Sequence, residues 1–548
     1  MNLTRGLRNS LTFGRKALHQ LLREVRVPPE NLRARTLRRW SESRSLPSHS
    51  DLSTGTNLNC ETRQRILIWS LRDWSVHVQL EAVIGQSLRA RGAHVSFASC
   101  GGGLEICDRV NTWEGPPMPC RSCTKYVDSS LEAHGFRAAL LKDNWPGSDW
   151  PELDLMPYSE LRQIEWRGIP LGRIVEIPTR WFLLSESVDS DPLGIATFRS
   201  FLRSARRIAE GAERILDQER PDQVVLLNGL FLFEAIVIEF CKQRGISYIT
   251  YERALMLDSF VFARDSICAL YRDDEGWAAI KETPLTDSES VDLNRHVVNR
   301  RVGGDQSDNY WEEIRRDSMF SPEAQVRAVL FTNLVWDSAV IGQDLAFGSI
   351  VEWLESVIRK FESMPHAELV VRIHPAEAKL KGRETREQME AAIRLRIPQL
   401  PANVRLVPPE DSVDSYLLME AADFGLVYSS TTGLEMSLLG KPVIVAAHTH
   451  YRGKGFTIDV ADEQDLLSQI DLQMRPETRF NPSVELAERY AHFVFFKSTY
   501  RNIGVTEPVR GLCAIDPDVV RHSVDTSEGD LGRLIESILN RSRLGYSL

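Results

Sequence analysis

Five consecutive residues, Ser429-Ser430-Thr431-Thr432-Gly433, place four hydroxyls ahead of a glycine, between the apolar run Phe424–Tyr428 and the segment Leu434–Leu439. Hydroxyls and unpaired backbone N–H groups, at the end of a parallel strand and the start of a helix, form a cradle for phosphate. Gly433 would let the backbone come close to that ligand, and Glu435, one turn on, could accept hydrogen bonds from ribose hydroxyls. A helix cap needs one such hydroxyl; four in a row exceed it. A second group, Arg372-Ile373-His374-Pro375, ends the apolar run Leu369–Ile373. Its guanidinium and imidazole would emerge at a strand end, where both suit an anionic phosphate. In the loop Tyr451–Phe456, Arg452 and Lys454 could meet the same phosphate or a carboxylate, unless the loop is simply solvated.

These groups need rigid elements behind them. The 548 residues are too many for one hydrophobic core, so two main domains are expected. Short buried-type strands at Ile66–Trp69, Val95–Ala98, Val224–Leu227 and Ile246–Tyr251 alternate with helical patterns such as Leu230–Arg244. Residues 272–322 are polar, charged and turn-rich. A second strand–helix series follows: Val329–Thr332, Ile350–Phe361, Leu369–Ile373, a helix over 379–396, Val404–Val407, Ser412–Ala421, Phe424–Tyr428, Leu434–Leu439 and Val443–Ala446. Strand–helix alternation predicts parallel, doubly wound sheets with their loops on one edge. The expected division is an N-terminal extension over 1–60, a first domain over 61–300, a linker over 301–322, a second domain over 323–480, and closing helices over 481–548.

Val371–Pro375, Leu426–Val445 and His450–Thr457 together resemble the capsule polysaccharide biosynthesis glycosyltransferases, a group similar to the Kdo transferases of capsule assembly and the bacterial sialyltransferases. The resemblance covers roughly 325–460 and is weaker over the first half. It implies the GT-B fold, two Rossmann-like domains facing a cleft. It also implies that His374-Pro375 and Ser429-Ser430 grip a nucleotide-sugar donor. A CMP-activated acidic sugar is favoured, with a nucleoside-diphosphate sugar open. The acceptor, a carbohydrate or glycolipid, would lie on the first domain.

Glycosyl transfer needs a base for the acceptor hydroxyl and a counterweight to the leaving phosphate. Asp73 and His77 follow the first strand and Glu252 follows Ile246–Tyr251; each is a candidate base, with an ion pair or helix cap as the plain alternative. No Asp-x-Asp motif sits in a convincing loop, since Asp189-Ser-Asp191 lacks a preceding strand. The expectation is chemistry without a metal or other catalytic cofactor. Cys100, Cys107, Cys120 and Cys123 fall within 24 residues and could share one structural Zn, or remain buried thiols.

Residues 1–50 carry eleven Arg/Lys against three acids. That +8, set against −10 overall, leaves −18 on the rest. The tail could rest on an anionic inner membrane face or be solvated. The negative remainder argues against nucleic acid as a partner. With neither an apolar span nor a signal-like core, a cytoplasmic protein, peripheral on the membrane at most, is expected. A sugar-nucleotide epimerase of the same fold and a non-catalytic scaffold of a polysaccharide assembly stay open beside the transferase.

Overall fold

The computed structural model describes residues 64–145, 150–301, 315, 318–338, 340–380, 382–509 and 511–545. The basic extension and most of the expected 301–322 linker lie outside the described residues.

Two six-stranded sheets dominate the fold. In the first, β1 (Arg65–Trp69), β2 (His94–Ser99), β3 (Ala138–Leu140), β4 (Gln223–Leu227), β5 (Ser247–Arg253) and β6 (Phe260–Arg264) lie in the order β3-β2-β1-β4-β5-β6. All pairs are parallel except β5 with β6. In the second, β7 (Val326–Phe331), β8 (Ala367–Arg372), β9 (Val404–Val407), β10 (Phe424–Val427), β11 (Val443–Val445) and β12 (Ile458–Asp459) lie in the order β12-β11-β10-β7-β8-β9, parallel throughout. This is the GT-B arrangement, two Rossmann-like domains. The strand order reverses between β1 and β4 in one sheet and between β7 and β10 in the other. Such switch points open a crevice beyond the carboxyl ends of the strands, where α/β proteins hold ligands.

Burial explains the strands. Ile66, Leu67, Ile68, Val224, Val225 and Leu226 are fully enclosed, as are Ala328 to Leu330 and Leu369 to Val371. Such runs suit sheets covered by helices on both faces.

Three stretches depart from the sequence reading. Within 272–322, Asp274–Ile280 and Asp287–Arg301 are helices anchored on the second domain by Trp277 and Leu293. The helix read over 379–396 is two, Ala376–Lys379 and Met389–Arg396, interrupted near Gly382, which has φ +75°. The last stretch is more than closing helices. After Val484–His492 on the second domain the chain crosses back, adds the hairpin β13 (Val505–Val509) and β14 (Leu512–Ile515), and ends in helices Pro517–Asp525 and Gly529–Leu539. Leu531, Leu534, Ile535 and Ile538 of the final helix pack in the same core cluster as Ile66 and Ile68 of β1. Among the described residues no helix is long and apolar enough to cross a membrane.

Candidate active site

The first sheet presents its switch-point loops through a buried clamp that the sequence reading missed. Arg72, just past β1, donates to Asp108 at 2.9 Å and to both oxygens of Glu234 at 2.5 and 3.0 Å. Asp108 in turn accepts from the Leu232 N–H at 2.9 Å. The guanidinium also lies 5.1 Å from the Trp74 ring and 5.2 Å from that of Phe231. Arg72 therefore ties the loop after β1, the 104–110 loop and the start of helix Leu232–Arg244 into one unit. A charged residue three positions after the apolar run Ile66–Trp69 was the available signal.

The three candidate bases lie around this unit but are not hydrogen-bonded to one another. Asp73 is engaged by Arg109 through two contacts, one of 3.1 Å. That ion pair makes it the weakest candidate. His77 is half-buried between Trp74 and Tyr251, with ring centroids 6.0 and 5.7 Å away, and its Nδ1 is enclosed without a partner. Burial, with help from Arg253 and Arg72, lowers its pKa to about 3, so the ring is neutral. Glu252 accepts from Asn228 Nδ2 at 2.9 Å and from the Arg253 N–H at 2.7 Å. Burial raises its carboxyl above the usual range despite those bonds. A carboxylate held by neutral donors, with its proton affinity raised, suits proton abstraction better than one paired with arginine.

On the second sheet, Thr332 follows β7 and its Oγ1 accepts from the His374 N–H at 3.0 Å. His374 Nδ1 accepts from the Ala376 N–H at 3.2 Å. Burial, then Arg372, lowers the imidazole to about 4. The ring is neutral with its proton on Nε2. Pro375 caps the short helix that follows. Across the switch point, the turn after β10 runs Ser429 to Gly433. Ser430 Oγ accepts from Thr432 N–H at 3.3 Å and from Thr432 Oγ1 at 3.0 Å, and Thr431 precedes helix Thr432–Leu438 without a side-chain cap bond. Ser429 Oγ is enclosed and has no hydrogen-bond partner among the described residues.

Several expected ligand contacts are corrected. Arg372 is buried and donates to the Pro408 and Asp411 carbonyls at 2.7 and 2.8 Å. It braces the loop after β9 instead of facing a phosphate. Arg452 does the same for the Val445 and Val460 carbonyls at 3.0 and 2.7 Å, joining β11 to the strand beside it. Lys454 pairs with Asp274, and Glu435 is held by Arg300 at 2.7 Å, so its carboxylate is already committed. Gly433 is required by packing: a Cβ there would fall 2.2 Å from Tyr451 Oη, which donates to the Ser430 carbonyl. The glycine makes room for the tyrosine ring.

The cysteine expectation is also corrected. All four thiols are free, and among the described residues no group of three or more His, Cys, Asp or Glu is placed to share a metal ion. Cys100 and Cys107 pack against the first core, and Cys120 abuts Gly102. Burial pushes the Cys100 thiol up to about 12 and raises those of Cys107 and Cys123.

Residues 293–480 match the family described as capsule polysaccharide biosynthesis protein. The resemblance read from the motifs thus holds over the segment that carries them. A comparison with curated protein sequences found no match. Among solved structures, the chain is similar to the KpsC beta Kdo 2,4 transferase of Thermosulfurimonas dismutans, at 18% identity and a TM-score of 0.33, over 55% of this chain and 86% of that one. It is similar to the KpsC beta Kdo 2,7 transferase of the same organism, at 14% identity and 0.33, over 60% and 89%. It is also similar to a UDP-GlcNAc 2-epimerase from Neisseria meningitidis bound to UDP-GlcNAc, at 12% identity and 0.24, over 78% and 97%.

Proposed function

We propose that this protein is a glycosyltransferase of surface or capsular polysaccharide synthesis, moving a sugar from a nucleotide-activated donor to a carbohydrate or glycolipid acceptor. The observation that carries the reading is Ser429 Oγ, enclosed and unpartnered at the second switch point. An orphaned hydroxyl of this kind calls for a partner, and a donor phosphate supplies one. Thr431 and the His374 imidazole add neutral groups around the same phosphate, and Thr432, bonded to Ser430 Oγ, holds the turn in shape. A CMP-sugar is the favoured donor and a nucleoside-diphosphate sugar the alternative. Glu252 serves as the base that takes the acceptor hydroxyl's proton. The reading includes metal-independent turnover, which persistence of transfer in excess chelator would support.

The test is thermal stabilisation by CMP, CDP, UDP, GDP and dTDP. A ligand confined to the folded state adds about 2.7 kcal/mol at a hundred times its Kd. A shift with CMP alone supports the favoured donor, and a shift with one diphosphate changes it. No shift with any nucleotide rejects the transferase. Transfer from the nucleotide sugar identified in this way should vanish in Glu252→Gln while the nucleotide shift survives.

A further inference from the structure

A cavity of about 420 Å³ lies between the domains, walled by Arg180, Glu186 and Val188 of the first and by Asp344, Glu387 and Tyr428 of the second. Its volume is that of a small-molecule site, roughly 300–1,000 Å³. Its position is that of a switch-point crevice: Asp344 belongs to the loop after β7, and Tyr428 directly follows β10. Tyr428 of the wall immediately precedes Ser429, so the cavity adjoins the phosphate turn.

The polar groups of the wall are unequally satisfied. Arg162 and Arg180 are both committed to Glu176, at 3.0 and 2.8 Å. Tyr428 Oη donates to Asp344 Oδ1 at 2.5 Å. Glu387 Oε2 accepts from Ser185 Oγ at 2.8 Å and from the Ser187 N–H at 3.2 Å. Glu186 makes neither a hydrogen bond nor an ion pair with any described residue. Burial pushes its carboxyl up to about 7, with Arg180 and Arg396 opposing and Glu387 and Asp344 adding to the rise, and Arg396 itself is paired with Glu355 at 3.1 Å. A half-buried acid, unpaired among the described residues and with two more carboxylates close by, repels a phosphate and is relieved by a cation. Val188 and Val335 give the same cavity an apolar face, which a sugar ring can cover.

We propose that this cavity binds an amino sugar of the acceptor, with Glu186 taking its protonated amine and Asp344 and Glu387 accepting from its hydroxyls. The proposal rests on the transferase reading for the word acceptor, and on the cavity itself for the amine. It assigns Glu186 to specificity, not to chemistry.

The test is saturation-transfer NMR at neutral pH with methyl glucosaminide, methyl N-acetylglucosaminide and methyl glucoside, on the wild type, Glu186→Gln and Asp344→Asn. Glu186 has no partner to lose, so Glu186→Gln should fold. The expected result is binding of the glucosaminide at least tenfold tighter than of the two uncharged sugars, with the preference lost in Glu186→Gln and reduced in Asp344→Asn. Equal binding of all three, no binding of the glucosaminide, or an unchanged preference in Glu186→Gln overturns the proposal. Nucleotide stabilisation measured on the same proteins separates the two readings. If it persists while the amine preference is absent, only the cavity assignment fails. If it is absent while the amine preference is present, the cavity assignment holds and the transferase reading fails.

Discussion

Trp181 of the first domain meets Trp336 of the second edge-on, their ring centroids 5.5 Å apart at 72°. Trp181 also meets Phe231 at 5.2 Å, and Phe231 meets Trp74 at 5.8 Å. Four aromatic side chains thus run from the loops after β1 and β4 to the loop after β7, joining one switch point to the other. Trp336 Nε1 donates to Thr385 Oγ1 at 2.8 Å, and Arg386 N–H donates to the Leu184 carbonyl at 2.9 Å. The break in the helix read over 379–396 therefore has a use: the freed segment reaches the first domain.

Trp336→Ala should cost about 3–5 kcal/mol, as truncation of a buried aromatic does, and should loosen the domain pairing. Thermal melts would show the first effect and an increase in the radius of gyration by small-angle scattering the second. Trp336→Phe, which keeps an edge-on ring, should recover most of the compactness. An unchanged radius in Trp336→Ala would mean that the aromatic run does not hold the domains together.

Arg372→Met should destabilise the protein, by about 3 kcal/mol, because it strands the Pro408 and Asp411 carbonyls. Its nucleotide affinity should stay within about threefold of the wild type. His374→Ala should show the opposite pattern, with weakened nucleotide binding at little cost in stability. Calorimetric titration beside denaturant melts distinguishes the two, and a tenfold affinity loss in Arg372→Met would return the guanidinium to the ligand.

The contrast between those residues shows what the sequence could convey. Long apolar runs marked the strands, and the hydroxyl-rich turn marked one edge, because burial and helix starts leave local patterns. Arg372 and His374 are two apart, so alternation suggested a shared direction. His374 lies past the last strand residue, however, where alternation no longer applies, and Arg372 found carbonyls from a loop some forty positions away. Contacts of that range have no local signature. Helix Asp287–Arg301 was hidden for another reason: Leu293 and His296 are its buried positions, too few to form a stripe. Pro508 within β13 argued against a strand.

Gly433→Ala should be strongly destabilising, since its Cβ would fall 2.2 Å from Tyr451 Oη and 2.8 Å from Cζ. Tyr451→Phe removes the nearer atom. The double variant Gly433→Ala/Tyr451→Phe should therefore be more stable than Gly433→Ala alone, by more than Tyr451→Phe changes the wild type. Melts of the four proteins form a double-mutant cycle. A coupling near zero would remove Tyr451 as the reason for the glycine.

His77 sets a pH window. In the folded protein it stays neutral down to about pH 3, whereas an exposed imidazole takes a proton near pH 6.5. Above 6.5 neither state binds the proton, and the residue gives stability no slope. As the pH falls from 6.5 towards 3, the unfolded chain binds a proton that the folded one refuses. Each unit then costs the folded state up to about 1.4 kcal/mol, less where solvent reaches the half-buried ring. Below 3 both states are protonated and the slope ends. His77→Gln cannot titrate, so between pH 6.5 and pH 4.5 the wild type should lose up to about 3 kcal/mol more than the variant. The readout is the difference in slope of the two stability profiles, which a constant offset from the substitution does not alter. Parallel profiles would show that His77 is protonated in the folded state.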